Sequence, residues 1–478
     1  MTEKFIDDIR NGLDSGKVTS DKLFEEAVNK AYKYQDVYNS FVTIMDKKDE
    51  VCSNSILSGI PYALKDNIST KGILTTASSN ILKDYIPLYD ATIYKKLKNS
   101  GAVLMGKTVL DELAMGGTGT TGHTGIVRNP WNKDRMIGGS SAGSAASVAL
   151  GIVPFAIGSD TGDSIRKPAA YGGIVGYKPT YGRISRYGLF AFASSLDHLG
   201  VFARSVKDVS YVMDVVKGHD DKDMTSLPDE DVSYTSELDN DVSGKKLFYI
   251  KEAIEIDNGN NELKEIISNF KSVLEKCKEL GMIVEEVSFD KELLEAIYPV
   301  YNVISCAEAT SNNSNLTGIP FGNRVDGKNV NDIMMNTRTN GFSELIKRRF
   351  VIGSYVLQKE NQERLFLNAC RVRRLIVNRM NELFEKYDGL IMPTSGNIAP
   401  LFDDASDKLS DEYLILGNHL VIGNFGGFPS ISIPSGFVND MPVSVNITGR
   451  AKEDSLVLNM ANKVESLLDC KGMVAKDE

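Results

Sequence analysis

The chain has 478 residues, 42% hydrophobic and 25% charged, a balance that excludes a peptide, a small scaffold and wholesale disorder. Fifty-four Lys and Arg stand against 64 Asp and Glu, a net charge of −10, which also excludes a surface that grips phosphate backbones all over. If nucleic acid matters to this chain, a local patch or a partner holds it.

The first predicted element is an amphipathic helix over 20–34, where Leu23, Phe24, Ala27, Val28 and Ala31 share one face behind Thr19 or Ser20 as cap. Strands are predicted over 101–107, 152–159, 246–250, 283–289, 388–392, 430–433 and 442–447. Helices are predicted over 141–150, 205–217, 260–280, 357–386 and 453–468. Strands alternating with helices argue for an α/β layer architecture. Residues 218–245 carry Asp220, Asp221, Asp223, Asp229, Glu230, Asp231, Glu237, Asp239 and Asp241 with few large apolar groups, and read as an acidic surface connection inside one domain. On this reading a helical segment, about 1–55, precedes a core of about 56–217, and about 246–478 completes the same domain.

The opening residues are charged, and the longest apolar stretch, Ala145 to Ile157, is broken by Ser, Gly and Pro, so neither a signal segment nor a membrane span is expected. Cys52, Cys277, Cys306, Cys370 and Cys470 are scattered without a CxxC, which predicts reduced thiols and a cytoplasmic protein. His123, His198, His219 and His419 are too dispersed to favour a metal site or a Ser-His-Asp triad. No metal is expected.

Two motif matches fail on their context. Gly101–Thr108 fits GxxxxGK[ST], but Ala, Val, Leu and Met between the glycines predict a buried strand instead of a phosphate loop. Gly117–Gly122 fits GxGxxG, yet Val109–Met115 before it looks helical and the residues after Gly122 look like loop. A mobile or site-lining loop is expected there and not a dinucleotide site.

The chemistry concentrates in 138–179, dense in Gly and Ser. Gly158-Ser-Asp-Thr-Gly-Asp-Ser164 follows an apolar strand, and a turn there would aim several N–H groups at one point, as an oxyanion hole does, with Ser164 at its edge. A serine nucleophile needs a base, and no His lies in this region. Lys65, after a short apolar run, is the best alternative. Its pKa must fall from about 10.4 to near 7, a bias of about 4–5 kcal/mol that burial beside hydroxyls instead of carboxylates can supply. A second serine can then relay the proton.

These residues carry a resemblance to the amidase signature family. GGSSAGS (138–144), SDTGDSIRKPA (159–169) and GYKPTYGRISRYGLFAFASSLDHLG (176–200) match its signature in order, and the steps from Lys65 to Ser140 and from Ser140 to Ser164 are 75 and 24 residues. The resemblance implies the amidase-signature fold, one large mixed β-sheet covered by helices on both faces. It implies Ser164 as nucleophile, Ser140 as relay on a cis peptide, Lys65 as base, and the N–H groups of Thr161, Gly162, Asp163 and Ser164 as oxyanion donors. Asp160 and Arg166 would fix the turn, while Ser141 and Ser144 would brace the loop.

Within the family the branch resembled is that of the A subunits of glutamyl-tRNA(Gln)/aspartyl-tRNA(Asn) amidotransferases. Pro179–Leu189, Glu308–Asn312, Met335–Arg338 and Lys347–Gly353 carry this part of the resemblance. It implies a glutaminase that passes ammonia to a B subunit, which uses ATP and magnesium on misacylated tRNA. A C subunit would tie the two together, and this chain would hold no cofactor. Either Arg348 or Arg349 is expected on the substrate carboxylate, with Tyr301 in the pocket. Three positions depart from the pattern: Ala142 within GGSSAGS, Asp163 where a glycine is usual, and Gly417 where an aspartate for the substrate ammonium is usual. Lys167 is the expected partner for the Asp163 charge. The rival expectations are a free-standing amidase on another small amide and an inactive scaffold.

Overall fold

The computed structural model describes residues 1–51, 53–256, 259–404, 410 and 412–475. In chain order its strands are β1 (Phe41–Ile44), β2 (Pro61–Lys65), β3 (Val103–Thr108), β4 (Arg128–Asn129), β5 (Asn132–Met136), β6 (Phe155–Asp160), β7 (Val175–Lys178), β8 (His198–Ala203), β9 (Lys246–Ile250), β10 (Ile283–Val287), β11 (Gly389–Pro393), β12 (Ser430–Val438) and β13 (Met441–Gly449). β4 and β5 form a separate ribbon. The other eleven make one mixed sheet in the order β1-β3-β2-β6-β8-β7-β12-β13-β11-β9-β10. The contact of β7 with β12, Ser430 opposite Lys178, joins strands from before the acidic connection to strands after it.

Alternate strand residues go to opposite faces. Tyr62 and Leu64 of β2 join Phe155 and Ile157 of β6 in one apolar cluster, while Ala63 and Ala156 join the other. Helices Val206–Val216, Asn261–Glu279 and Asp454–Glu465 pack into the first cluster, and Ser20–Tyr38 and Ala142–Ala149 into the second. Both faces are therefore covered, as expected for this α/β fold, and the central strands read as near-continuous apolar runs.

The predicted helix over 20–34 runs to Tyr38, and Thr19 caps it by accepting from Lys22 N–H at 3.3 Å. The helix predicted over 357–386 is not continuous. Leu357 ends one helix, Gln358 turns extended, and Lys359–Gln362 leads through a π segment, Glu363–Leu367, into Asn368–Phe384. Val109–Met115 is not helical either: it holds one short turn, Glu112–Ala114, with Leu113 at a φ of 52°. The acidic stretch is less loose than its composition suggests. Asp220 accepts from Ser185 Oγ, Asp223 accepts from Arg186 N–H, and Tyr234 is buried. Cys277, Cys306, Cys370 and Cys470 are free thiols, and Cys52 lies outside the described residues. No described helix is long and apolar enough to cross a membrane.

The site is positioned by the parallel pair β2 and β6, in register from Tyr62 opposite Phe155 to Leu64 opposite Ile157. Both strands deliver their carboxyl ends to the same place, Lys65 on one and Asp160 on the other. In open α/β sheets that end is where a crevice forms.

Candidate active site

Lys65 is the last residue of β2 and is fully buried. Its Nζ lies 2.8 Å from Ser140 Oγ, 2.8 Å from Ser141 Oγ, 2.9 Å from Ser159 Oγ and 3.3 Å from the Ser159 carbonyl. Every one of these neighbours is neutral, and among the described residues no carboxylate comes within ion-pair distance. Burial lowers the Lys65 pKa to about 7, against the more distant pull of Asp111, Asp160 and Asp197. That drop from 10.5 biases the group against its ammonium form by about 5 kcal/mol. Ser141 gives its own proton to the Ser159 carbonyl at 3.0 Å, and Ser144 gives its to Ile157 at 3.0 Å, so the two serines brace the helix start.

Ser140 enters through a cis Gly139–Ser140 peptide. Its carbonyl accepts from Asp111 N–H at 3.1 Å. The GxGxxG match wraps the Asp111 carboxylate: the N–H groups of Thr118, Gly119, Thr120 and Thr121 donate to it at 3.0–3.1 Å, and Thr121 Oγ1 at 2.9 Å. The glycine loop thus does cradle an anion, but the anion is a side chain of the protein, and the loop walls the Ser140 segment. A Cβ on Gly139 would come 2.0 Å from Asp111 Oδ2. The GxxxxGK[ST] match is β3, with Lys107 buried in it.

The turn after β6 is fixed from below. Asp160 accepts from Ile165 N–H at 2.9 Å and from Arg166 Nε and Nη2 at 3.1 and 3.0 Å, and the Arg166 guanidinium also binds the carbonyls of Gly162 and Leu420. Arg166 holds the Asp160 carboxyl far below the ordinary carboxylate range. Thr161 Oγ1 donates to Asp197 at 2.7 Å. None of the N–H groups of residues 161–164 donates to a described group, and the Ser164 hydroxyl has no hydrogen bond among the described residues. The Ser140 and Ser164 segments touch through the main chain, Ser141 N–H to the Ser164 carbonyl at 3.3 Å. A buried amine with a lowered pKa, a hydroxyl bonded to it, a second hydroxyl unengaged on the adjoining segment, and N–H groups unused among the described residues make a site equipped for acyl transfer.

A sequence profile described as Amidase matches residues 22–458.

The chain belongs to the amidase family.

The glutamyl-tRNA(Gln) amidotransferase A subunit of Streptococcus pneumoniae (strain 70585) is 39% identical, covering 98% of this amidase and 97% of its own length. The Lactobacillus acidophilus protein of the same name is 38% identical, over 96% and 95%. The crystal structure of the A subunit of a Thermotoga maritima glutamyl-tRNA(Gln) amidotransferase matches at a TM-score of 0.83 and 34% identity, covering 100% of this chain and 99% of that one. Peptide amidase from Stenotrophomonas maltophilia, 23% identical at a TM-score of 0.81 over 98% and 97%, shares the fold.

The outer wall of the amidase site separates the two adjacent arginines. Arg348 is exposed on the helix Glu344–Leu357. Arg349 turns inward: its guanidinium lies 5.6 Å from the Phe192 ring centroid, its Nη1 is 3.9 Å from Cys306 Sγ, and its Nε is buried without a hydrogen-bond partner among the described residues. Tyr301 packs so closely over the turn after β6 that a Cβ on Gly162 would meet its ring at 3.0 Å. Burial raises the Tyr301 hydroxyl well above the usual phenol range, with Arg349 opposing and Asp163 adding to the rise. Asp163 is paired with Lys167 at 2.7 Å, as its charge required, and Lys167 Nζ also donates to the Gly417 carbonyl at 2.6 Å. Gly417 and Tyr413 also line a cleft of about 680 Å³ with Arg135, Glu262 and Asn397, which Lys65, Ser140 and Ser164 do not line.

Sequence reasoning missed Ser159, which binds Lys65 twice, and Asn67, which donates to Ser159 Oγ at 3.1 Å. The signal for Ser159 was its place in β6, one residue before Asp160 and beside the end of β2. Asp111 left no signal, because its contacts come from a loop that reads as an unrelated motif.

Proposed function

We propose that this amidase is the glutaminase subunit of a tRNA-dependent amidotransferase. It hydrolyses the side-chain amide of glutamine and releases ammonia for the amidation of Glu-tRNA(Gln), Asp-tRNA(Asn) or both. The observation that carries the reading is Lys65: a buried amine ringed by hydroxyls and a carbonyl, 2.8 Å from Ser140 Oγ.

A neutral lysine has two N–H donors and one lone pair. Ser141 has already given its proton to the Ser159 carbonyl, so its oxygen receives one Lys65 N–H. Ser159 receives the other. The lone pair is left for the Ser140 proton. Ser140, losing its proton to Lys65, takes one from Ser164, whose Oγ attacks the amide carbon. The oxyanion that forms meets the N–H fan of residues 161–164. Collapse of the tetrahedral intermediate breaks the C–N bond as the proton returns through Ser140 to the leaving nitrogen. Ammonia departs, and water repeats the sequence on the acyl-enzyme to free glutamate and Ser164.

Arg349 supports an amide that carries a carboxylate, since a guanidinium binds a carboxylate through two hydrogen bonds and, among the described residues, this one has no carboxylate partner. The relatives named as A subunits of an amidotransferase support a multi-subunit assembly. The reading extends this to B and C subunits as partners, ATP and magnesium on the B subunit with no cofactor here, misacylated tRNA reached through the complex, and a cytoplasmic location. The acidic charge fits a division of labour in which tRNA is gripped elsewhere. The test is ammonia release from glutamine by the chain alone and with B and C subunits and misacylated tRNA. The expected result is low activity alone and a large rise in the complex. Ser164→Ala is expected to lose at least about 10⁴-fold in kcat with its fold retained. Full activity of the isolated chain on diverse amides, or turnover by the Ser164→Ala variant, would overturn the reading.

A further inference from the structure

The carboxylates whose charge is felt at Lys65, Asp160, Asp111 and Asp197, are committed to fixed protein groups. Asp160 serves Arg166 and Asn424, Asp111 serves the glycine loop, and Asp197 serves Thr161 and the N–H groups of Phe192 and Ala193. Asp163, one residue before Ser164, is answered by a lysine instead. The Lys167 ammonium sits between Asp163 Oδ2 at 2.7 Å and the Gly417 carbonyl at 2.6 Å. An Asp–Lys pair four residues apart is common at a helix start. The bond to Gly417 is not part of that pattern: it reaches 250 residues along the chain, and it completes a socket of one carboxylate and one carbonyl around an ammonium. Tyr301 lies over Gly162, the residue before Asp163, and meets the Phe192 ring edge-on at 6.5 Å, and the Arg349 guanidinium lies over that same Phe192 ring.

We propose that this socket is the ammonium-binding place of the substrate and that Lys167, by filling it, sets the specificity of the site between amides that carry an ammonium and amides that do not. The proposal rests on the glutaminase reading above. Glutamine must displace the Lys167 head group to reach Asp163. Glutaramate, which is glutamine without its ammonium, binds with Lys167 in place. Shortening Lys167 opens the socket to glutamine and gives glutaramate nothing. Removing the Asp163 charge takes from glutamine the carboxylate of this socket.

The experiment measures kcat/KM of the full-length chain for both amides, by ammonia release, in wild type, Lys167→Met, Lys167→Arg and Asp163→Asn. The readout is the glutamine-to-glutaramate ratio. A folding defect or a general loss of kcat lowers both values and leaves that ratio alone. Lys167→Met is expected to raise the ratio about tenfold, chiefly through KM for glutamine, and Asp163→Asn to lower it about tenfold, the scale of one charge-assisted hydrogen bond. Lys167→Arg, which keeps a cation in the socket, is expected to hold the wild-type ratio. A ratio that stays within about twofold of wild type in both Lys167→Met and Asp163→Asn, with both amides turned over, overturns the assignment and leaves the glutaminase reading standing. Glutaramate turnover with no release from glutamine in any variant overturns both.

Discussion

Two fully buried lysines lie on adjacent strands, Lys65 on β2 and Lys107 on β3, and they meet different fates. Lys107 faces the Asp66 carboxylate at 3.2 Å, with Thr75 Oγ1 at 2.8 Å and the Ile68 carbonyl at 3.0 Å. Burial pulls its pKa down and Asp66 opposes the pull. Lys65 has the same burial and only serine hydroxyls and a carbonyl around it, so nothing close offsets the desolvation. Depth alone does not make a base. The neighbours decide whether a buried amine is a structural cation or a group able to take a proton.

The sharpest way to break this comparison is to remove each amine in turn. Lys65→Met is expected to cut kcat at least about 10³-fold while leaving the melting temperature level or raised, because it deletes a group whose burial is uncompensated. Lys107→Met is expected to do the reverse. It leaves the Asp66 charge buried and unpaired, which costs about 3–5 kcal/mol of stability, while the protein that stays folded keeps its kcat. Thermal melts and steady-state kinetics on both variants check the crossover. Equal effects of the two substitutions on both readouts would dissolve it.

A smaller effect belongs to Asp163, the residue before the proposed nucleophile Ser164, whose carboxylate is paired with Lys167. Asp163→Gly is expected to change kcat/KM for glutamine about tenfold and to shift stability by less than about 1 kcal/mol, the ordinary worth of a partly exposed pair. A melting-temperature loss with unchanged kinetics would make Asp163 structural.

Much of this site was legible in the sequence because its parts are close along the chain. Ser140, Ser164 and the turn between Thr161 and Asp163 fall within one Gly- and Ser-rich stretch, and a strand followed by such a turn already implies converging N–H groups. Lys65 was legible by elimination, since a serine without a histidine needs another base. The pairing of Asp163 with Lys167 followed from charge. The choice between Arg348 and Arg349 was not legible, since it depends on which way one helix turns against Phe192 and Cys306. Asp111 and Ser159 were missed for a related reason: their contacts are made across the sheet and across a loop, and no spacing records them. The continuous helix expected over 357–386 failed because apolar periodicity persists through Gln358, where the backbone leaves the helix without a Pro or Gly to mark it.

Stability and pH connect to the same amine. The unfolded chain holds a proton on Lys65 up to about 10.5, and the folded chain releases it at about 7. Between those values the unfolded state binds more protons, so this group makes stability rise with pH across that window. Below about 7 both states are protonated, the slope vanishes, and Lys65 has no lone pair for the proposed relay. Asp197, raised to about 6 by burial, and Asp208, raised to about 7, titrate in the same range, so an activity profile alone mixes several groups.

The most direct measurement is therefore a titration of lysine side chains labelled with ¹³C at Cε, in the wild-type protein and in Lys65→Met to assign the missing signal. The account predicts one lysine resonance, absent from the variant, that changes with a midpoint near pH 7. A Lys65 resonance that keeps its protonated shift beyond pH 9 would contradict it.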